Sequence, residues 1–68
     1  MKNNIRVERA AKRMTQQQLA ELVGVSRQTI NAIEAEKYIP SAVLVLKISA
    51  IFERPVEAIF SLEKDDWE

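Results

Sequence analysis

The chain's one glycine, Gly24, stands between two helix signals that leave almost no room for a connection. Upstream, Thr15 and Gln18 form a Thr-x-x-Gln box. The Thr hydroxyl accepts a free first-turn N–H, and the Gln side chain reaches back to the Thr backbone. Leu19, Leu22 and Val23 follow as the apolar stripe of this helix, and Gly24 supplies the left-handed conformation that suits a helix C-terminus. Only Val25 and Ser26 then precede a second helical run, Arg27 to about Glu36, for which Ser26 is the expected N-cap.

Two helices joined by a turn of about three residues containing a Gly are the sequence description of a helix-turn-helix. The remaining segments are also helical in pattern, as eight alanines and a lone glycine suggest. A short basic helix, about Ile5 to Lys12, carries Ile5, Val7, Ala10 and Ala11. Pro40 discourages helix at Ile39, and Ser41 caps the next helix. That helix, from about Ala42 to Phe52, is apolar nearly all round, with only Lys47 and Ser49 polar, so it is expected to be covered on more than one side, the second cover being another copy of the chain. Pro55 opens a last short helix, Val56 to Phe60. The expectation is one all-α domain spanning residues 1–68, with a core from about 5 to 60 and an acidic tail over 61–68. The alternation Phe60-Ser61-Leu62-Glu63 suits either a frayed tail or a short strand that pairs in a dimer. The expected dimer face comprises Val45, Phe52, Phe60 and Leu62.

Composition removes most catalytic chemistry. A chain of 68 residues has no room for a cleft between two lobes. With no Cys and no His it lacks thiolate and imidazole metal ligands, disulfides, cysteine nucleophiles and the commonest general base. Thr15, Ser26, Thr29 and Ser41 stand where caps and turns need hydroxyls, and there is no Gly-rich phosphate loop. No enzyme activity, metal, cofactor or small-molecule ligand is expected. Met1-Lys2-Asn3-Asn4 opens no signal peptide, no window approaches a membrane span, and the expected location is the cytoplasm.

The formal net charge of zero is a cancellation. Residues 1–37 hold seven basic and four acidic side chains, a balance of +3, whereas residues 38–68 hold three and six, a balance of −3. Within the basic half, the helix from Arg27 has a distinctive face. Steps of 100° per residue place Arg27, Gln28, Asn31, Ala32 and Ala35 within an arc of about 140°, with Ile30, Ile33 and Thr29 opposite. Arg pairs bidentately with guanine O6 and N7, and Gln or Asn with adenine N6 and N7; small Ala32 keeps the face low enough to enter a groove. Thr15, Gln16 and Gln17 lie where free N–H groups and the positive helix end favour a phosphate, and Lys37, Lys2 and Arg6 are placed to contact flanking phosphates. The expected partner is double-stranded DNA.

The string Thr15-Gln16-Gln17-Gln18-Leu19-Ala20-Glu21-Leu22-Val23-Gly24-Val25-Ser26-Arg27-Gln28-Thr29-Ile30-Asn31-Ala32-Ile33-Glu34, with Lys37-Tyr38 and Pro40-Ser41 beyond it, resembles the Cro/repressor-type (Xre-like) helix-turn-helix family. The resemblance runs from about Ile5 to Phe60. It implies a five-helix, lambda-repressor-like DNA-binding domain, usually dimeric, that serves as a transcriptional regulator in a prokaryote. By position it implies a phosphate contact for Gln16, base or backbone contacts for Arg27, Gln28, Thr29 and Ala32 with Asn31 beside them, and a partly buried salt bridge between Arg9 and Glu34.

The departures from the family pattern are specific. Glu8 stands where many members place a core Leu, and Arg13 and Glu53 replace turn glycines. Ala35-Glu36 replaces a frequent Asn-Gly, which puts a negative charge near the expected DNA backbone beside Lys37. Together with the acidic second half, the apolar fourth helix and Trp67, these leave an alternative: a protein-interaction module, antitoxin-like or an adaptor, with weak or no DNA binding.

Overall fold

The computed structural model describes residues 1–68. The order is β1 (Lys2–Asn3), α1 (Ile5–Ala11), α2 (Gln16–Val23), α3 (Arg27–Glu34), α4 (Ala42–Phe52), α5 (Val56–Ile59), β2 (Phe60–Ser61) and a 3-10 turn, Lys64–Trp67. The fold is mostly helical, with a two-stranded sheet closing the chain ends. None of the helices is long and apolar enough to cross a membrane.

Side-chain caps start α2, α3 and α4. Both halves of the Thr15 box are made: Gln18 N donates to Thr15 Oγ1 at 3.0 Å and Thr15 N to Gln18 Oε1 at 2.8 Å. Ser26 Oγ accepts from Thr29 N at 3.1 Å, and Ser41 Oγ accepts from Leu44 N at 3.2 Å. Each cap satisfies a donor that the first helical turn leaves unpaired.

The first four helices end alike. Arg13, Gly24, Glu36 and Glu53 have positive φ, at 52°, 76°, 61° and 54°. In each case the next N–H folds back onto the helix: Met14 to Arg9 O, Val25 to Ala20 O, Lys37 to Ala32 O and Arg54 to Ser49 O, at 2.9, 3.0, 2.9 and 3.2 Å. These are Schellman closures, and only one of the four uses glycine. The left-handed turn at Glu36 is also why α3 stops at Glu34, two residues before the expected end.

The core contains Ile5 from α1, Leu19, Ala20 and Val23 from α2, Ile30 and Ile33 from α3, Leu44, Ile48 and Phe52 from α4, and Ile59 and Phe60 from the C-terminal end. Leu22, expected inside, is 57% exposed. The buried arc of α2 is set by Leu19, Val23 and Ala20, and Leu22 falls about 60° outside it. Within α1 only Ile5 is buried; Val7, Ala10 and Ala11 face solvent. Glu8, at the family's core position, instead lies 3.7 Å from Arg54 Nε.

Two features of the expected dimer face need correction. Phe52 and Phe60 are 3% and 6% exposed and belong to the core of the single chain, because a domain this small needs both rings to close the bottom of its helices. The short strand exists, but its partner is the chain's own N-terminus: Lys2 pairs with Ser61 and Asn3 with Phe60, antiparallel. Asn4 extends the tie, its N–H donating to Ile59 O at 2.8 Å. Beyond β2, Met1's ammonium lies 3.2 Å from Glu63 and 3.1 Å from Asp66, so the tail folds over the start of the chain.

The left-handed residues make a test of the closures. A non-glycine side chain in this conformation costs about 1–2 kcal/mol, offset by the greater chain entropy that glycine loses. Arg13→Gly and Glu53→Gly should each raise stability by up to about 1 kcal/mol, read from urea midpoints. Gly24→Ala should lower it by about 1–2 kcal/mol through backbone strain alone, since a Cβ there meets no atom within 4 Å. A lower midpoint for both glycine variants would show that these side chains contribute more than the strain costs.

Candidate nucleic-acid interface

The capped turn Gly24-Val25-Ser26 sets α3 across α2, and Ile30 and Ile33 anchor α3 to the core. The opposite face is left to solvent. Arg27, Gln28 and Asn31 are exposed and alone line a small recess on it. A second, shallower depression is lined by Ser26, Gln28, Thr29, Ala32, Lys37 and Tyr38. The four expected base-facing residues, Arg27, Gln28, Asn31 and Ala32, therefore share one surface, with Lys37 and Thr29 at its side. A helix with its side chains is about 10–12 Å across, which matches the width of a major groove.

Tyr38 is the surface residue that sequence reasoning passed over. Its half-exposed ring lines the depression beside Gln28 and Ala32, where it can meet a thymine methyl or, through its hydroxyl, a phosphate. Its position directly after Lys37, in the turn that ends α3, is the signal that marks it.

The start of α2 meets the edge of the same surface. The N–H groups of Gln16 and Gln17 lie in the first turn, where helices leave donors free, and Gln17 is exposed. The Thr15 hydroxyl is engaged in the cap, as is the Thr29 hydroxyl, 2.9 Å from Ser26 Oγ. Gln16 differs from its neighbours because its side chain turns inward. Its Nε2 lies 3.2 Å from Glu34 Oε1 and 3.3 Å from Asn31 Oδ1.

Glu34 is the electrostatic centre of this region. Its side chain is 1% exposed, beside an Arg9 side chain 14% exposed. Arg9 Nε donates to Glu34 Oε2 at 2.6 Å and Arg9 Nη2 to Oε1 at 2.9 Å, the two-pronged pairing that the guanidinium fork favours. Arg9 Nη1 also donates to Met14 O at 2.9 Å, so one side chain ties α1, the turn after it and α3. Burial pushes the Glu34 carboxyl upward. Hydrogen bonds from Arg9 and Gln16 and the charges of Arg9 and Arg6 outweigh it, and hold the group below the usual carboxylate range. Arg9 is shifted upward, chiefly by its hydrogen bond to Glu34.

Comparison with known proteins bears on this arrangement. A family model described as helix-turn-helix matches residues 5–59. The chain belongs to the Cro/repressor-type (Xre-like) helix-turn-helix family. Similar proteins include an uncharacterized HTH-type transcriptional regulator of Methanocaldococcus jannaschii, 48% identical over 66 residues that cover 97% of this chain and 100% of the relative. Another, from Bacillus subtilis, is 44% identical over 66 residues, covering 97% and 100%. A third, from Archaeoglobus fulgidus, is 42% identical over 69 residues, covering 100% and 97%. The family match spans α1 to α5 and so includes both Arg9 and Glu34.

In this helix-turn-helix domain, removing one partner of the Arg9–Glu34 pair should destabilise the packing of α3 strongly, whatever the net worth of the intact pair. Glu34→Ala strands the Arg9 guanidinium and should cost about 3–5 kcal/mol at neutral pH. The cost should depend on pH in one direction. A carboxyl lowered by folding contributes fully above its unfolded pKa of about 4.3 and loses that contribution as the pH falls through the folded value. Urea midpoints of wild type and Glu34→Ala should therefore converge in acid; a gap independent of pH would contradict an ionised Glu34.

Proposed function

We propose that this protein binds double-stranded DNA sequence-specifically as a small homodimeric transcriptional regulator, with α3 in the major groove. The observation that carries the reading is the recess formed by Arg27, Gln28 and Asn31 alone, on a helix whose other face is fixed in the core. Lys37 and Tyr38 at one side, and the first-turn donors of α2 at the other, supply contacts that position a duplex without reading it. The relatives named as HTH-type transcriptional regulators support the same reading. Such a protein acts in the cytoplasm, by binding rather than by catalysis.

Dimerisation uses the outer side of α4. Leu44, Ile48 and Phe52 fill the core, while Val43, Leu46 and the preceding Ile39 are exposed large apolar side chains. Val45 is half-buried and Leu62 exposed, so both remain accessible to a second copy. A two-fold pair would present its α3 helices to half-sites about 34–36 Å apart. Light scattering at tens of micromolar should give the dimer mass for wild type and the monomer mass for Leu46→Glu; a monomeric wild type would contradict this assembly.

The exposed apolar side of α4 also favours a second reading, in which the domain is an antitoxin-like or adaptor module and that face holds a different protein. Selection from random duplexes separates the two. The DNA reading gives an enriched motif, with Arg27→Ala and Gln28→Ala each losing about 1–3 kcal/mol and relaxing preference at one base pair. Lys37→Ala should weaken all sequences alike and flatten the salt dependence. No enriched motif, with no binding at low salt, would favour the interaction module.

A further inference from the structure

The hydrogen bonds beneath the reading face fix which end of the Asn31 amide is free. Ionised Glu34 only accepts, so the Gln16 atom 3.2 Å from its Oε1 is the amide nitrogen. That same nitrogen lies 3.3 Å from the near atom of the Asn31 amide, which must then be the carbonyl oxygen Oδ1. Gln16 has two N–H donors, one for each acceptor. The opposite side of the Asn31 amide, Nδ2, makes no hydrogen bond within the chain, and the residue lines the recess with Arg27 and Gln28. A fixed order of donors and acceptors thus runs from Arg9 through Glu34 and Gln16 to Asn31, using both nitrogen-bound protons of the Gln16 amide.

We infer that Gln16 is a positioning residue for specificity: it holds Asn31 with its carbonyl turned inward and its NH2 outward, so that Asn31 reads a keto oxygen, guanine O6 or thymine O4, and not adenine. The inference rests on the DNA-reading role proposed above and makes it more specific. Adenine recognition by Asn needs both ends of the amide, the oxygen accepting from N6 while the nitrogen donates to N7. Gln16 takes one of that oxygen's two lone pairs and holds the oxygen on the inner side of the amide, away from the N6 group it would have to reach. A keto base asks only for donors, which is what Asn31 presents. The same geometry takes the Gln16 side-chain nitrogen away from the phosphate, leaving the backbone N–H groups of Gln16 and Gln17 for that contact.

The test is duplex selection in parallel with wild type, Asn31→Ala, Asn31→Asp, Gln16→Ala and Gln16→Lys, each first shown to melt cooperatively. The position read by Asn31 is the one whose preference Asn31→Ala abolishes. There, wild type should favour G or T over A or C by about tenfold, the effect of about 1.4 kcal/mol expected for one good base contact. Gln16→Ala frees the amide to turn and should cut that preference below threefold, with adenine rising. Asn31→Asp presents an outward acceptor and should reverse it toward the amino bases. Gln16→Lys, whose ammonium donates to both Glu34 and Asn31, should keep it. Adenine at that position in wild type, an unchanged profile in Gln16→Ala, or no position responding to Asn31→Ala would each overturn the inference while leaving the DNA-reading role standing. Failure of wild type to enrich any motif would overturn that role and this inference with it.

Discussion

Glu34 is a carboxylate with almost no access to water in a domain whose core is small, and the surface above it depends on how that charge is satisfied. Removing a carboxylate from water costs several kcal/mol, recovered only through close and well-aimed partners. Here the partners are three side chains: the Arg9 fork on α1, the Gln16 amide at the start of α2, and the more distant charge of exposed Arg6, also on α1. The ion pair fixes the orientation of α3 against α1. Its value lies less in net stability than in geometry, because a bidentate Arg–carboxylate pair tolerates little rotation. A reading helix needs that rigidity, since a side chain that reads a base edge works within a few tenths of an ångström.

Much of the fold is dictated by local signals. The Thr15, Ser26 and Ser41 caps, Gly24 and the two prolines place α2 to α5 to within about two residues. What escapes such signals is set by closure of the whole domain. The strands are two residues each and carry no periodicity, and their pairing depends on α1 and α5 bringing the chain ends together. Phe52 looks like a candidate for an interface because its helix is apolar nearly all round, and Phe60 because it opens an alternating apolar and polar segment. Only packing shows that a core this small consumes both. Leu22 misleads in the opposite direction, since an apolar side chain on the flank of an amphipathic helix is no guarantee of burial.

The candidate site was legible at the level of residue types and a helical wheel: Arg27, Gln28, Asn31 and Ala32 share a face because the helix repeat requires it. The Arg9–Glu34 pair was legible only through resemblance to a family, as twenty-four residues separate the two and no periodicity links them. The inward turn of the Gln16 side chain was not legible at all, because it depends on a tertiary contact with a buried carboxylate on another helix that no local pattern announces. Arg13, Glu36 and Glu53 show a related tension. Each occupies a left-handed turn that glycine would adopt with less strain, and Glu36 adds negative charge beside Lys37. A domain with these substitutions and no net charge has modest electrostatic attraction for phosphate, so in the proposed DNA-binding role more of the discrimination would fall to contacts with base edges.

The central claim is that one surface, built by α3 and the start of α2, meets DNA while the outer side of α4 does not. Titration of isotope-labelled protein with a selected duplex, followed by backbone and side-chain amide NMR, tests it most directly. The account predicts shifts at Gln16, Gln17, Arg27, Gln28, Asn31 and Lys37, including the Asn31 side-chain NH2, with Val43 and Leu46 unmoved. Shifts concentrated on α4, with the amides of α3 silent, would contradict it.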